Sequence, residues 1–259
     1  MPTHQAEKEG KEESQVAGRV VTAKCANDVW HVDLTVIPTG AGFWCSWLPF
    51  ALPQRWPFCW WALITIDHFS RSTMAAGVFV QRPDCRAVCA CLGQTIRRLG
   101  SAPKYIVRDR GSMFDCDAFR GWTKRKTNHL PRYGAVGKHA SIAVVERFIL
   151  TMKQILGQLH FVPLRRQSFR QELDAIILWY NEHRPHTTLG GKTPREVYDK
   201  RFPANRKPRV EPRPRWPLGS PCARPQTLIA GKPGDRFNVI VSFQGKRRHL
   251  PIVKLRRSA

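Results

Sequence analysis

The stretch "DVWHVDLTVI", Asp28–Ile37, sets Val29, His31, Asp33 and Thr35 against Trp30, Val32, Leu34 and Val36. Period-two alternation with β-branched and aromatic residues predicts a strand with one strongly apolar face, and it puts the carboxylate of Asp33 on the other face in mid-strand. Working outward, "WALITIDHFS" and "MAAGVFVQ" predict two further strands joined through "DHFSRS". A helical period then runs from Asp84 to Leu99 and closes on Gly100. "KYIVRDRGS" is a short apolar strand ending in Asp109, "DAFRGWTKRK" a short helix, and Ser141 is placed to cap a helix reaching about Leu159. A last amphipathic helix spans roughly Ser168–Glu182. Strands followed by interleaved helices predict an α/β fold with a mixed sheet.

Composition narrows the partner. The 259 residues hold 42% apolar side chains, enough for a core, and a formal charge of +24, which calls for a polyanion. Nucleic acid fits first. Eight scattered cysteines without an apolar leader indicate a reducing, cytoplasmic setting. Cys85, Cys89 and Cys91 read as buried thiols rather than zinc ligands. The apolar run Phe43–Ile66 is broken by Pro49, Pro53, Pro57 and Arg55, which argues against a membrane span.

The chain divides by composition into a polar, disordered lead over 1–26, a core over 27–200, a Pro/Arg-rich linker over 201–225 and a small basic β segment over 226–259. From Arg195 to Ala259 there are 17 Lys/Arg against 4 Asp/Glu, and Pro203–Pro225 carries seven prolines. The closing β segment is too small to hold a core alone, so it is expected to dock on the core or on a partner.

Three acids stand out: Asp33 in mid-strand, Asp109 at a strand end, and Glu146 early in a helix whose stripe Val145, Phe148, Ile149, Met152, Ile155 and Leu156 is buried. If they converge, divalent metal relieves their repulsion, and hard carboxylate oxygens suit Mg²⁺. Paired ions can serve phosphodiester chemistry. Spacing alone does not establish this, since single acids are far more often caps or solvated charges.

The ordered motifs "VWHVDLT", "IDHFSR", "YIVRDRGSMF", "GKHASIAVVERFILTMK" and "WYNEHRPHTTLGGKTPREVY" resemble the catalytic core of retroviral integrases and insertion-sequence transposases. The resemblance implies a ribonuclease-H-like fold with a five-stranded mixed sheet flanked by helices. It implies that Asp33, Asp109 and Glu146 are both the catalytic and the metal-binding residues, holding two Mg²⁺ ions, with Mn²⁺ able to replace them. Thirty-six residues lie between Asp109 and Glu146, near the family's usual thirty-five. Lys138, Lys153, Arg110 and Arg147 are the expected DNA contacts.

The resemblance further implies an integrase or transposase that cleaves and joins mobile-element DNA, with element ends and target duplex as partners. It would work as a homo-oligomer on DNA, in a bacterial, nucleoid-associated setting. A non-catalytic DNA-binding remnant and a nuclease of the same fold are the alternatives. Two departures from the family pattern are the flanking of Asp109 by Arg108 and Arg110, which adds positive charge there, and Ala140 where glycine is usual. Only about 26 polar residues precede the first strand, so a separate polypeptide is expected to supply end recognition. Two features have structural readings: Asp67 as a tie for its hairpin, and His183 with His186 as a helix terminus rather than a zinc pair.

Overall fold

The computed structural model describes residues 22–40, 52–108, 114–133, 143–201 and 237–257. The central sheet is built from β1 (Val29–Pro38), β2 (Cys59–Asp67), β3 (Thr73–Phe79) and β4 (Tyr105–Arg108). A two-residue segment, β5 (Arg132–Tyr133), pairs parallel to β4 at the edge, and the order is β3-β2-β1-β4-β5. β1 runs antiparallel to β2 and parallel to β4, so the sheet is mixed as expected. The expected fifth strand is thus reduced to one short pairing beside four full strands. Its sequence, "RY" after Pro131, has no alternation to read.

Two helical layers cover the sheet. On one side lie α1 (Cys85–Leu99) and α2 (Asp117–Thr127); on the other lie α3 (Ala143–Leu156) and α4 (Arg166–His183), followed by the short α5 (Pro194–Tyr198). Val32, Leu63 and Ile106 pack with Val88, Leu92, Phe114 and Phe119 on the first side. Ile37, Trp60, Ile64 and Ile66 pack with Phe148, Met152, Phe169 and Ile176 on the second.

Local chemistry sets the ends of these elements. Asp84 caps α1 by accepting the Ala87 N–H at 2.7 Å, and Gly100 closes it in the left-handed region at φ 68°. Gly77 of β3 is needed where α1 crosses, because a Cβ there would sit 2.9 Å from Cys91 Sγ. Thr193 and Glu196 form a reciprocal capping box on α5. α3 stops at Leu156, before the expected Leu159, because Gly157 follows and the chain tightens into the bond from Leu159 N–H to Leu156 C=O. Its expected cap, Ser141, lies outside the described residues.

Residues 237–257 form a two-stranded ribbon, β6 (Phe237–Phe243) and β7 (Pro251–Arg257). It docks on α4, as expected of a piece too small to stand alone. Leu250 is fully buried in the larger core, the Trp179 indole N–H donates to Pro251 C=O, and Glu172 accepts from Arg247 Nε at 2.7 Å and pairs with His249 Nε2 at 2.7 Å. Among the described residues no helix is long and apolar enough to cross a membrane, and Cys59–Asp67 of the apolar run is a strand.

Candidate active site

The register decides which way Asp33 faces. It sits opposite Ile64, which packs into the α3–α4 core, whereas its neighbour Val32 packs into the α1–α2 core. Asp33 therefore stands on the α3 side of the sheet, half-buried, and its Oδ1 accepts the Leu34 N–H at 2.7 Å. From α3, Lys153 reaches the same region. Burial pulls its ammonium below the ordinary lysine range, and the carboxylate of Asp33 pushes it back up.

Glu146 lies two turns before Lys153 on α3, in the first turn, and is exposed. A carboxylate there is favoured by the helix N-terminus. Residues 143–201 hold six Asp/Glu. Five are engaged: Glu172 with the ribbon, Asp174 with Arg170, Glu182 and Asp199 with Arg195 and Arg201, and Glu196 with its cap. Among the described residues, Glu146 alone of the six makes no ion pair or hydrogen bond. Arg147, next to it, is exposed and close enough to Tyr180 for its charge to be felt there.

Asp109, Arg110 and Lys138 lie outside the described residues. The structure thus brings Asp33 and Lys153 together and sets Glu146 on the same helix as Lys153. Among the described residues no three His, Cys, Asp or Glu side chains converge as a metal cage.

Arg108 shares the α2 side with Ile106. Its side chain is buried, its Nη2 donates to Asp115 Oδ1 at 3.2 Å, and its guanidinium lies 5.9 Å from the Phe119 ring. The clue in the sequence was the acid seven residues on, next to Phe114.

The structural readings are explained by contacts. Asp67 is fully buried and accepts from the Asn27 N–H, the Ser70 N–H and the Ser70 hydroxyl, with burial raising its carboxyl and these bonds opposing the rise. α4 ends at His183, and His186 meets the Tyr180 ring edge-on at 4.9 Å. Cys85 and Cys89 approach to 4.0 Å as free thiols, both pushed up by burial, the opposite of what makes a thiol reactive. His31 was overlooked: alternation placed it on the face of Asp33, where it is buried with Nε2 2.7 Å from His68 Nδ1.

Two models of the integrase core domain match the chain, one over residues 23–138 and one over 129–194, so together they run unbroken across two thirds of it. The transposase for insertion sequence element IS904 of Lactococcus lactis is 24% identical over 180 residues, which is 69% of this chain. The chain spans 64% of that transposase's length. A chain of the simian T-cell lymphotropic virus intasome in complex with PP2A regulatory subunit B56 gamma superposes with a TM-score of 0.50 at 16% identity, covering 93% of this chain and 71% of the other. The HTLV-2 integrase catalytic core domain in complex with magnesium gives 0.45 at 15% identity, over 68% of this chain and 99% of the other.

Proposed function

From a chain that belongs to the integrase core family, we propose a polynucleotidyl transferase that cleaves DNA phosphodiesters and joins a mobile-element end to target DNA. The observation that carries this reading is Glu146. Among the described residues it is the acid left unpaired in a layer whose other acids are all engaged, on the helix whose Lys153 senses Asp33.

In this reading Asp33, Asp109 and Glu146 hold two Mg²⁺ or Mn²⁺ ions. The donor set fits: all three are hard carboxylates, Asp33 is half-buried on the α3 side of the sheet, and Glu146 is exposed and uncommitted. When bound, such ions lower the pKa of an attacking oxygen and stabilise the leaving one. The protein's own residues bind and orient. Lys153, Arg147, Arg110 and Lys138 hold backbone phosphates, and the three carboxylates would hold the ions that neutralise the scissile phosphate. Water or a DNA 3′-hydroxyl attacks phosphorus, one P–O bond forms as another breaks, and the leaving 3′-oxygen takes up the proton released by the nucleophile. No side chain is bonded to the substrate. Strand transfer conserves the number of phosphodiesters and needs no outside energy source.

The finer architecture belongs to the same proposal. Arg132–Tyr133 is the stub of a fifth strand in a ribonuclease-H-like sheet, and the chain comprises a lead (1–26), a core (27–200), a linker (201–225) and a basic β segment (226–259). It works in the cytoplasm as a homo-oligomer on DNA.

Asp33→Asn, Asp109→Asn and Glu146→Gln should each lower Mg²⁺-dependent cleavage and strand transfer by about three orders of magnitude or more while duplex affinity is kept, because groups sharing a site fail as a unit. Wild-type activity in any one of the three would overturn the assignment.

A further inference from the structure

On the far side of the sheet from Asp33, positive charge dominates. Residues 84–108 hold five Lys/Arg and one acid, Asp84, and residues 114–133 hold five Lys/Arg and two acids, Asp115 and Asp117. Several of these cations have structural duties. Arg108 and Arg120 share Asp115, and Arg98 donates to Met74 C=O. Lys124, Arg125 and Lys126, in the last turn of α2, are exposed and form no ion pair among the described residues.

Gly121, Lys124, Arg125 and Asn128 recur at helical spacing and line a depression of about 450 Å³. It is open because Gly121 has no side chain: a Cβ there would meet only the far end of Arg125, at 3.5 Å. Clustered, exposed cations are what a nucleic-acid backbone attracts. One cation is explained by the helix C-terminal dipole, but three adjacent and unpaired ones exceed that need.

We propose that the outer face of α2, centred on Lys124 and Arg125 and extended by Lys126, is a second phosphate-binding surface. It takes a DNA duplex other than the one held at Asp33. The inference rests on the DNA reading above, and its test uses binding alone, so loss of the catalytic assignment would leave it standing.

The test measures affinity of the full-length chain for a mixed-sequence duplex by fluorescence anisotropy across a salt series. The variant Lys124→Glu/Arg125→Glu should weaken binding at least tenfold and flatten the slope of log K against log salt by about 1.8, two phosphate contacts at about 0.9 each. Arg165→Glu/Arg166→Glu, on exposed arginines at the start of α4, changes charge equally and should leave the slope at the wild-type value. Gly121→Leu fills the depression without altering charge and favours the helix, so weaker binding with undiminished thermal stability supports the surface even if the double variant folds poorly. A wild-type slope in the α2 variants, or an equal loss in the α4 control, overturns the surface. Tighter binding to an RNA duplex of the same length overturns its assignment to DNA. Absence of salt-dependent binding by the wild-type chain overturns both this surface and the DNA reading.

Discussion

Between residues 143 and 201 ten Lys/Arg face six Asp/Glu, and five of those acids are engaged: Glu182 ties α4 to α5, Glu172 ties α4 to the ribbon, Glu196 caps α5, and Asp174 and Asp199 pair with nearby arginines. Across the sheet, residues 84–108 and 114–133 carry ten Lys/Arg against three acids. The α3–α5 layer is neutralised from within, so an acid left over there, Glu146, is conspicuous. In the α1–α2 layer the surplus is positive, and uncompensated like charge destabilises a compact fold unless a partner neutralises it. The two layers thus mark different tasks: one carries the candidate chemistry, the other presents charge outward.

The contrast is sharpest beneath the surface, where each layer buries a phenylalanine completely. Phe148→Ala in the larger core should cost about 3–5 kcal/mol, the usual range for a buried aromatic ring. Phe119→Ala should cost at least as much, because it also strips Arg108 of the ring beside its buried guanidinium. Urea denaturation of both variants measures this. A Phe119→Ala cost well below that of Phe148→Ala would mean that Arg108 is not held by the ring.

Much of this arrangement was legible in the sequence. Strong alternation found β1, an apolar run rich in aromatic and β-branched residues found β2, and Asp84 and Gly100 bracketed α1 to within a residue. Parity along β1 put Asp33 and Val32 on opposite faces, which is half of the site's geometry. What escaped was decided by contacts across the chain. β5 is two residues long and exists only through pairing with β4. The burial of Arg108 on the α2 side depends on Asp115 and Phe119, and no local pattern announces that. Asp109, the third acid, falls outside the described residues, so its place in the site rests on the family motif.

A second difference between the layers concerns protons. His31 and His68 on the sheet, and His186 after α4, meet around Arg71 and Tyr180 on the α3–α4 side. Burial, helped by neighbouring positive charge, lowers His31 to about 3 and His68 and His186 to about 4. His31 Nδ1 and His186 Nε2 find no hydrogen-bond partner among the described residues, and the facing charges are Arg71 and Arg184 against buried Asp67. The folded chain keeps these rings neutral while the unfolded chain protonates them near 6.5, so their contribution is intact above that pH and is lost as pH falls toward 3. His31 alone should remove about 2 kcal/mol between about pH 7 and pH 5. Stability that stays flat across that range would show that the cluster opens to solvent.

The smallest effect tests whether the acids of the α3–α5 layer hold its parts together. Glu172 sits on α4 with only 12% of its side chain exposed and receives both Arg247 and His249 from the turn between β6 and β7. Glu172→Gln keeps the shape and one acceptor oxygen but removes the charge. Charge-assisted bonds are worth roughly 1.5–3 kcal/mol, so about 1–2 kcal/mol of the ribbon's docking should go. The ribbon remains attached, because Leu250 is still buried and the Trp179 indole still donates to Pro251 C=O. Local opening should therefore increase about tenfold, read as faster hydrogen exchange of the β6 and β7 amides, while β1 and β2 amides keep their protection. Equal acceleration in both sheets would show that Glu172 supports the core itself. No acceleration in either would place the whole anchor of the ribbon in Leu250 and Trp179.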